Sequence, residues 1–138
     1  MQAGFELFDH TADVGIRVFA PDMNGLIEPA ARGLYAVIGE LAAKDSPQPF
    51  SLDLSGDDSA LLLRDYLTEL LILFERDQSF VESSGSAFNA GGLSVRGRKF
   101  AVDEAKSVYY REVKAITYHE LAIRPVTGGY EATIIVDI

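Results

Sequence analysis

The segment "SALLLRDYLTELLILFERD" (Ser59 to Asp77) constrains the fold more than any other part of the chain. Leu63, Leu67, Leu70, Leu71 and Phe74 recur at helical spacing, and the resulting helix is apolar over more than half its girth. That width implies burial between a sheet and another helix, or against a partner surface. Asp57 or Asp58 stands where an N-cap is needed. A second helix is expected from "APDMNGLIEPAARGLYAVIGEL", with Asp22 as its N-cap and Leu26, Ala30, Leu34 and Val37 on one face. Pro29 is the awkward residue there. Inside a helix it would clash with the Gly25 carbonyl and remove a hydrogen bond, at a cost of about 3 kcal/mol. Either the helix starts near Glu28 or it is kinked, and a distorted first turn is the expectation.

The remaining segments read as strands. Phe5 and Leu7 alternate with Gly4 and Glu6. Val14, Ile16 and Val18 share a face opposite Gly15 and Arg17, and Phe50, Leu52 and Leu54 point inward. Gly91-Gly92 and Gly97 read as turn punctuation, and "EVKAITYHELAIRPV", "TGG" and "YEATIIVDI" as a closing hairpin. With 138 residues, 48% of them hydrophobic, the chain is expected to form one α+β domain over residues 1–138, two helices packed on a mainly antiparallel β-sheet.

Charge narrows the partners. Twelve Lys and Arg stand against twenty-one Asp and Glu, a net charge of −9 that repels phosphate backbones. Direct nucleic-acid binding is therefore not expected. Arg96, Arg98 and Lys99 in "VRGRK" read as a solvated hairpin, since no aromatic array is interleaved with them. No apolar run is long enough to span a membrane, and the N-terminus lacks the features of a signal peptide. The absence of cysteine removes disulfides and thiolate ligands, and a cytoplasmic location is the simplest expectation. There is no Gly-x-Ser-x-Gly elbow, phosphate loop or dinucleotide fingerprint, so no catalytic nucleophile is found.

What stands out is the polar ends of the most hydrophobic strands. If Gly128 and Gly129 form the hairpin turn, Glu120 lies across from Asp137 and His119 across from Ile138; a bulge would put His119 opposite Asp137. Facing carboxylates destabilise a strand pair unless a cation, such as Lys114 or a metal, lies between them. Asp13 precedes an alternating strand. Should that strand neighbour the C-terminal one, Asp13, Asp137 and the last carboxylate converge. Such oxygens without thiolates suit Ca²⁺, Mg²⁺ or Mn²⁺, although edge aspartates are also found merely solvated. His10 and His119 are too far apart in sequence to announce a His-based site.

Three segments, "DHTADVG" (Asp9 to Gly15), "EVKAITYH" (Glu112 to His119) and the final "IIVDI", resemble the archease family in order, spacing and position. The Leu-rich helix between them resembles the family's own, so the likeness spans the chain. The resemblance implies an accessory protein and not an enzyme. Its partner would be the RNA ligase that joins a 2′,3′-cyclic phosphate or 3′-phosphate end to a 5′-hydroxyl end in tRNA splicing and RNA repair, promoting guanylylation and repeated turnover of that ligase. An alternative partner is a tRNA cytosine-5 methyltransferase, with this chain as a chaperone-like modulator. A metal-dependent phosphoesterase using the same carboxylates is a third reading. The resemblance also implies a divalent cation, calcium first, held by Asp13, Asp137 and the main-chain carboxylate of Ile138. Lys114 would be the partner-activating residue, with His10 and His119 in support. Where the family commonly carries a loop rich in Asp, His and Gly, this chain has "AVDEAKSVYYR" with Tyr109 and Tyr110.

Overall fold

In the computed structural model, which describes residues 1–138, the chain opens with antiparallel strands β1 (Gly4–His10) and β2 (Asp13–Ala20). A 3₁₀ turn at Asn24–Leu26 leads into α1 (Ile27–Ile38), then β3 (Gly39–Glu40), β4 (Gln48–Ser55) and α2 (Ser59–Asp77). The second half holds β5 (Ser79–Asn89), β6 (Gly92–Ala101), β7 (Val108–Tyr109), β8 (Ala115–Ile116), β9 (Ala122–Val126) and β10 (Gly129–Asp137). Every strand pair is antiparallel. A five-stranded sheet runs β1-β2-β10, with β8 and β9 sharing the far edge of β10. A three-stranded sheet runs β4-β6-β5, and β3 pairs with β7.

The Leu-rich helix is buried as its composition demands. Leu62, Leu63, Tyr66, Leu67, Leu70 and Leu71 are all buried, because α2 packs against α1 and strands of both larger sheets. The apolar girth thus serves two sheets at once, wider than the single sheet foreseen from sequence. Asp58 is the cap: its carboxylate accepts from the N–H groups of Ala60 (3.0 Å) and Leu61 (3.1 Å). The distorted start expected of α1 is the 3₁₀ turn, where Asp22 accepts from the Gly25 N–H at 2.8 Å. Pro29 is the third residue of α1, so the N–H it lacks is one that a first turn leaves unbonded anyway.

Two expectations are corrected. The closing hairpin turns at Thr127 and Gly128, not at Gly128 and Gly129: Gly128 adopts φ +86° and Gly129 already pairs with Val126. The strand before it is also broken. β9 begins only at Ala122, opposite Thr133, whereas β8 pairs Ile116 with Val136 and Ala115 with Asp137. Thr117 makes the break, its N–H and hydroxyl both donating to the Ile135 carbonyl at 2.9 Å while the hydroxyl accepts from the His119 N–H at 3.1 Å. The chain leaves the sheet, and Glu120 turns through φ +51°. Neither Glu120 nor His119 therefore opposes Asp137 or Ile138.

The second correction concerns the basic segment. Val95 to Lys99 lies within β6, one arm of the β5–β6 hairpin, with Arg96 and Arg98 exposed as expected; it is Gly97 that is no turn residue, since it faces a bulge between Ser83 and Gly85. Arg96 pairs with Asp53 and Arg98 with Glu82, each at 3.3 Å. A hydrogen bond from Ser94, together with Arg96, holds the Asp53 carboxyl below its usual range. Local carboxylates absorb this charge. No helix is long and apolar enough to cross a membrane.

Leu67 is fully buried in the one large hydrophobic cluster. Leu67→Ala is expected to destabilise the fold by about 2–5 kcal/mol, measured as a lower denaturant midpoint with an unchanged slope. A loss below about 0.5 kcal/mol would contradict this placement of α2.

Candidate functional site at the carboxylate end of the sheet

β2 and β10 are neighbours, and their last registered pair is Val14 with Val136. One residue further on, Asp13 and Asp137 stand at the same end of adjacent strands. Strand alternation turns both away from the core face that Val14 and Val136 occupy. The register is firmly set, because Ile16, Val18, Ala132, Ile134 and Val136 are all fully buried and a one-residue slip would expel them. Gly15 serves the same alignment. The Phe8 ring lies over it so closely that an added Cβ would fall 2.1 Å from a ring carbon, and the Arg17 guanidinium sits 4.7 Å from that ring's centre. The "DVG" triplet is thus an aspartate at a strand mouth, a core valine and a glycine roofed by an aromatic ring.

Asp13, Asp137 and Ile138 are each half-buried. Lys114 is exposed and joins this end through the main chain, its N–H donating to the Asp137 carbonyl at 2.8 Å. His10 pairs with Asp13 across the β1–β2 turn, with Nδ1 4.0 Å from the Asp13 carboxylate and Nε2 2.5 Å from the Glu120 carboxylate. Nδ1 is buried without a hydrogen-bond partner. His10 therefore links the β1–β2 turn to the 117–121 bend. His119 is exposed, and its N–H is bonded to the Thr117 hydroxyl.

The structure thus brings Asp13, Asp137, Ile138 and Lys114 to one end, sets His10 beside them, and leaves His119 outside. Sequence reasoning missed the Glu120 contact with His10, since it depends on a left-handed residue in a bend that breaks the strand. It also missed Arg64. That guanidinium reaches from α2 to the Ile116 carbonyl at 3.0 Å and lies 3.9 Å from the Tyr118 ring centre. An arginine two residues from Leu62 in the Leu-rich run was the available signal. Burial pushes the Tyr35 and Tyr66 hydroxyls up, which keeps both protonated within the packed interior.

No three His, Asp or Glu side chains gather at metal-binding spacing anywhere in the chain. A cation at this end would rest on two carboxylates and a main-chain group. All are hard oxygen donors, a set that fits calcium chemistry provided water or a partner completes the shell.

The model of the archease protein family matches residues 5–138. The chain belongs to the archease family. The protein archease of Archaeoglobus fulgidus is 29% identical over 97% of this chain and 98% of its own length. That of Methanopyrus kandleri is 30% identical, covering 97% of this chain and 99% of its own. The solution structure of Methanobacterium thermoautotrophicum protein 1598 superposes with a TM-score of 0.76 at 27% identity, covering 98% of this chain and 99% of that one. A Thermotoga maritima crystal structure, described as an archease and possible chaperone, gives a TM-score of 0.63 at 18% identity, covering 100% of this chain and 98% of that one, and shares the fold. This archease accordingly carries the family's architecture from end to end.

Thr117 holds the bend beside the carboxylate end. Thr117→Val is expected to cost about 1 kcal/mol and to speed amide exchange at His119, whose N–H it satisfies. Unchanged exchange there would contradict the assigned hydrogen bond.

Proposed function

We propose that this archease is an accessory protein for the RNA ligase that joins a 2′,3′-cyclic phosphate or 3′-phosphate end to a 5′-hydroxyl end. It acts by promoting guanylylation of that ligase. One observation carries the reading: β2 and β10 pair so that Asp13 and Asp137 share a strand end beside Ile138. Like charges on adjacent strands repel, and a cation between them relieves the repulsion. Asp13, Asp137 and the main-chain carboxylate of Ile138 would hold Ca²⁺, with Mg²⁺ or Mn²⁺ as alternatives. When bound, the ion supplies positive charge where a phosphoryl group accumulates negative charge.

The protein's own part is placement. A register set by buried valines and isoleucines presents the carboxylates on a rigid edge, so they reach a partner without reorganising. Lys114 is fixed to the same edge through Asp137 and offers the one cationic side chain of the group. His10, in close contact with Glu120 and 4.0 Å from Asp13, ties the turn that carries Asp13 to the neighbouring bend.

The chaperone-like alternative, with a tRNA cytosine-5 methyltransferase as client, would work through exposed apolar surface. The Leu-rich helix does not provide it, because only Leu61 and Ile72 among its large apolar side chains are exposed. Polar substitutions along its buried face would unfold the protein and not merely silence it. The exposed apolar residues that remain for such a role include Val108, Tyr109 and Tyr110.

Guanylylation of the ligase is the decisive assay. Asp13→Asn and Asp137→Asn are each expected to weaken calcium binding at least tenfold, about 1.4 kcal/mol, and to abolish stimulation. Lys114→Ala should abolish stimulation with calcium affinity retained. Folded variants that all stimulate like wild type would end this reading, and so would phosphoester turnover by the protein alone with Mn²⁺.

A further inference from the structure

Tyr118 is the most exposed large apolar side chain in the protein, at 65% of its surface. It is not loose. The Arg64 guanidinium lies 3.9 Å from its ring centre. That guanidinium is itself only 17% exposed, donating to the Ile116 carbonyl at 3.0 Å and pairing with Asp65 at 3.1 Å. This is the only side-chain hydrogen bond from α2 to the five-stranded sheet. The bend is fastened on its other side by the bonds of Thr117 to Ile135. The fold therefore uses a half-buried arginine to fix an aromatic ring that stands in water.

We infer that Tyr118, backed by Arg64, is the anchor through which this archease docks on a protein partner, and that the partner offers an apolar slot rimmed by Arg and Lys. The inference rests on the ligase reading above and names its contact surface. Fixed aromatics dominate interface energetics, since a ring already held in place loses little freedom on binding. One face of Tyr118 is taken by Arg64, so a partner meets the other face and the hydroxyl edge. The anions around it set the rim. Asp65 pairs with the same Arg64 at 3.1 Å, and Glu120 stands two residues on in the same bend. With a net charge of −9 overall, a cationic protein surface is the complement and a phosphate backbone is not.

The test measures affinity for the ligase separately from guanylylation, using full-length protein. Tyr118→Ala is expected to weaken binding about thirtyfold while leaving calcium affinity at the wild-type value. Tyr118→Phe, which keeps the ring, should stay within about threefold of wild type. Wild-type affinity should fall as salt rises from dilute to physiological strength. Tyr118→Ala binding as tightly as wild type overturns the inference while the ligase reading stands, as does an affinity insensitive to salt. Wild type failing to bind the ligase overturns both. Tight binding to RNA alone that Tyr118→Ala removes would assign the ring to nucleic acid and overturn the protein-docking role.

Discussion

The structure depends on one strand being hydrogen-bonded along both edges. β10 pairs with β2 on one side and with β9 and then β8 on the other, and its Ala132, Ile134 and Val136 are fully buried. Buried on this scale, such side chains contribute roughly 1.5–3 kcal/mol each for the larger ones, and they permit only one register. From that register the rest follows. β2 must bring Asp13 level with Asp137, and β8 must bring Lys114 to the Asp137 carbonyl. The polar end of the sheet is thus positioned by the apolar body of its central strand.

Stability and the candidate chemistry are kept apart in this arrangement. The core lies between the two larger sheets around α1 and α2, and the Leu-rich helix is committed to it. The carboxylates lie past the end of the register, where repulsion between them costs little packing. Arg64 is the exception, because it carries a contact from the helix to the strand-end bend. Through it the two regions share one rigid frame, with Tyr118 standing on the outside.

Much of this was legible in the sequence, and the reasons are physical. Helical periodicity of large apolar residues identified α2 and Asp58 or its neighbour as the cap, and period-two alternation identified β2 and β4. Asp13 and Asp137 could be brought together without knowing the hairpin register, because their meeting needs only that β2 and β10 be adjacent. The hairpin itself could not be read. Whether a "VTGG" turn places its left-handed residue at Gly128 or Gly129 depends on the strand pairing it must serve. The break at Thr117 depends on a threonine bonding to a carbonyl eighteen positions away in sequence. The basic segment misled because glycine beside arginine suggests a turn, whereas Gly97 serves close approach at a bulge, where an added Cβ would meet the Glu82 carbonyl at 2.3 Å.

The central claim is that the pairing of β2 with β10 makes an oxygen-lined cation site at the end of those strands. Paramagnetic broadening of backbone amide signals by substoichiometric Mn²⁺ tests it most directly, because the effect falls steeply with distance from the ion. The account predicts losses concentrated at Asp13, Val14, Val136, Asp137 and Lys114, reversed by excess Ca²⁺. Losses centred instead on the Asp57–Asp58 helix cap, or spread evenly over the acidic surface, would contradict it.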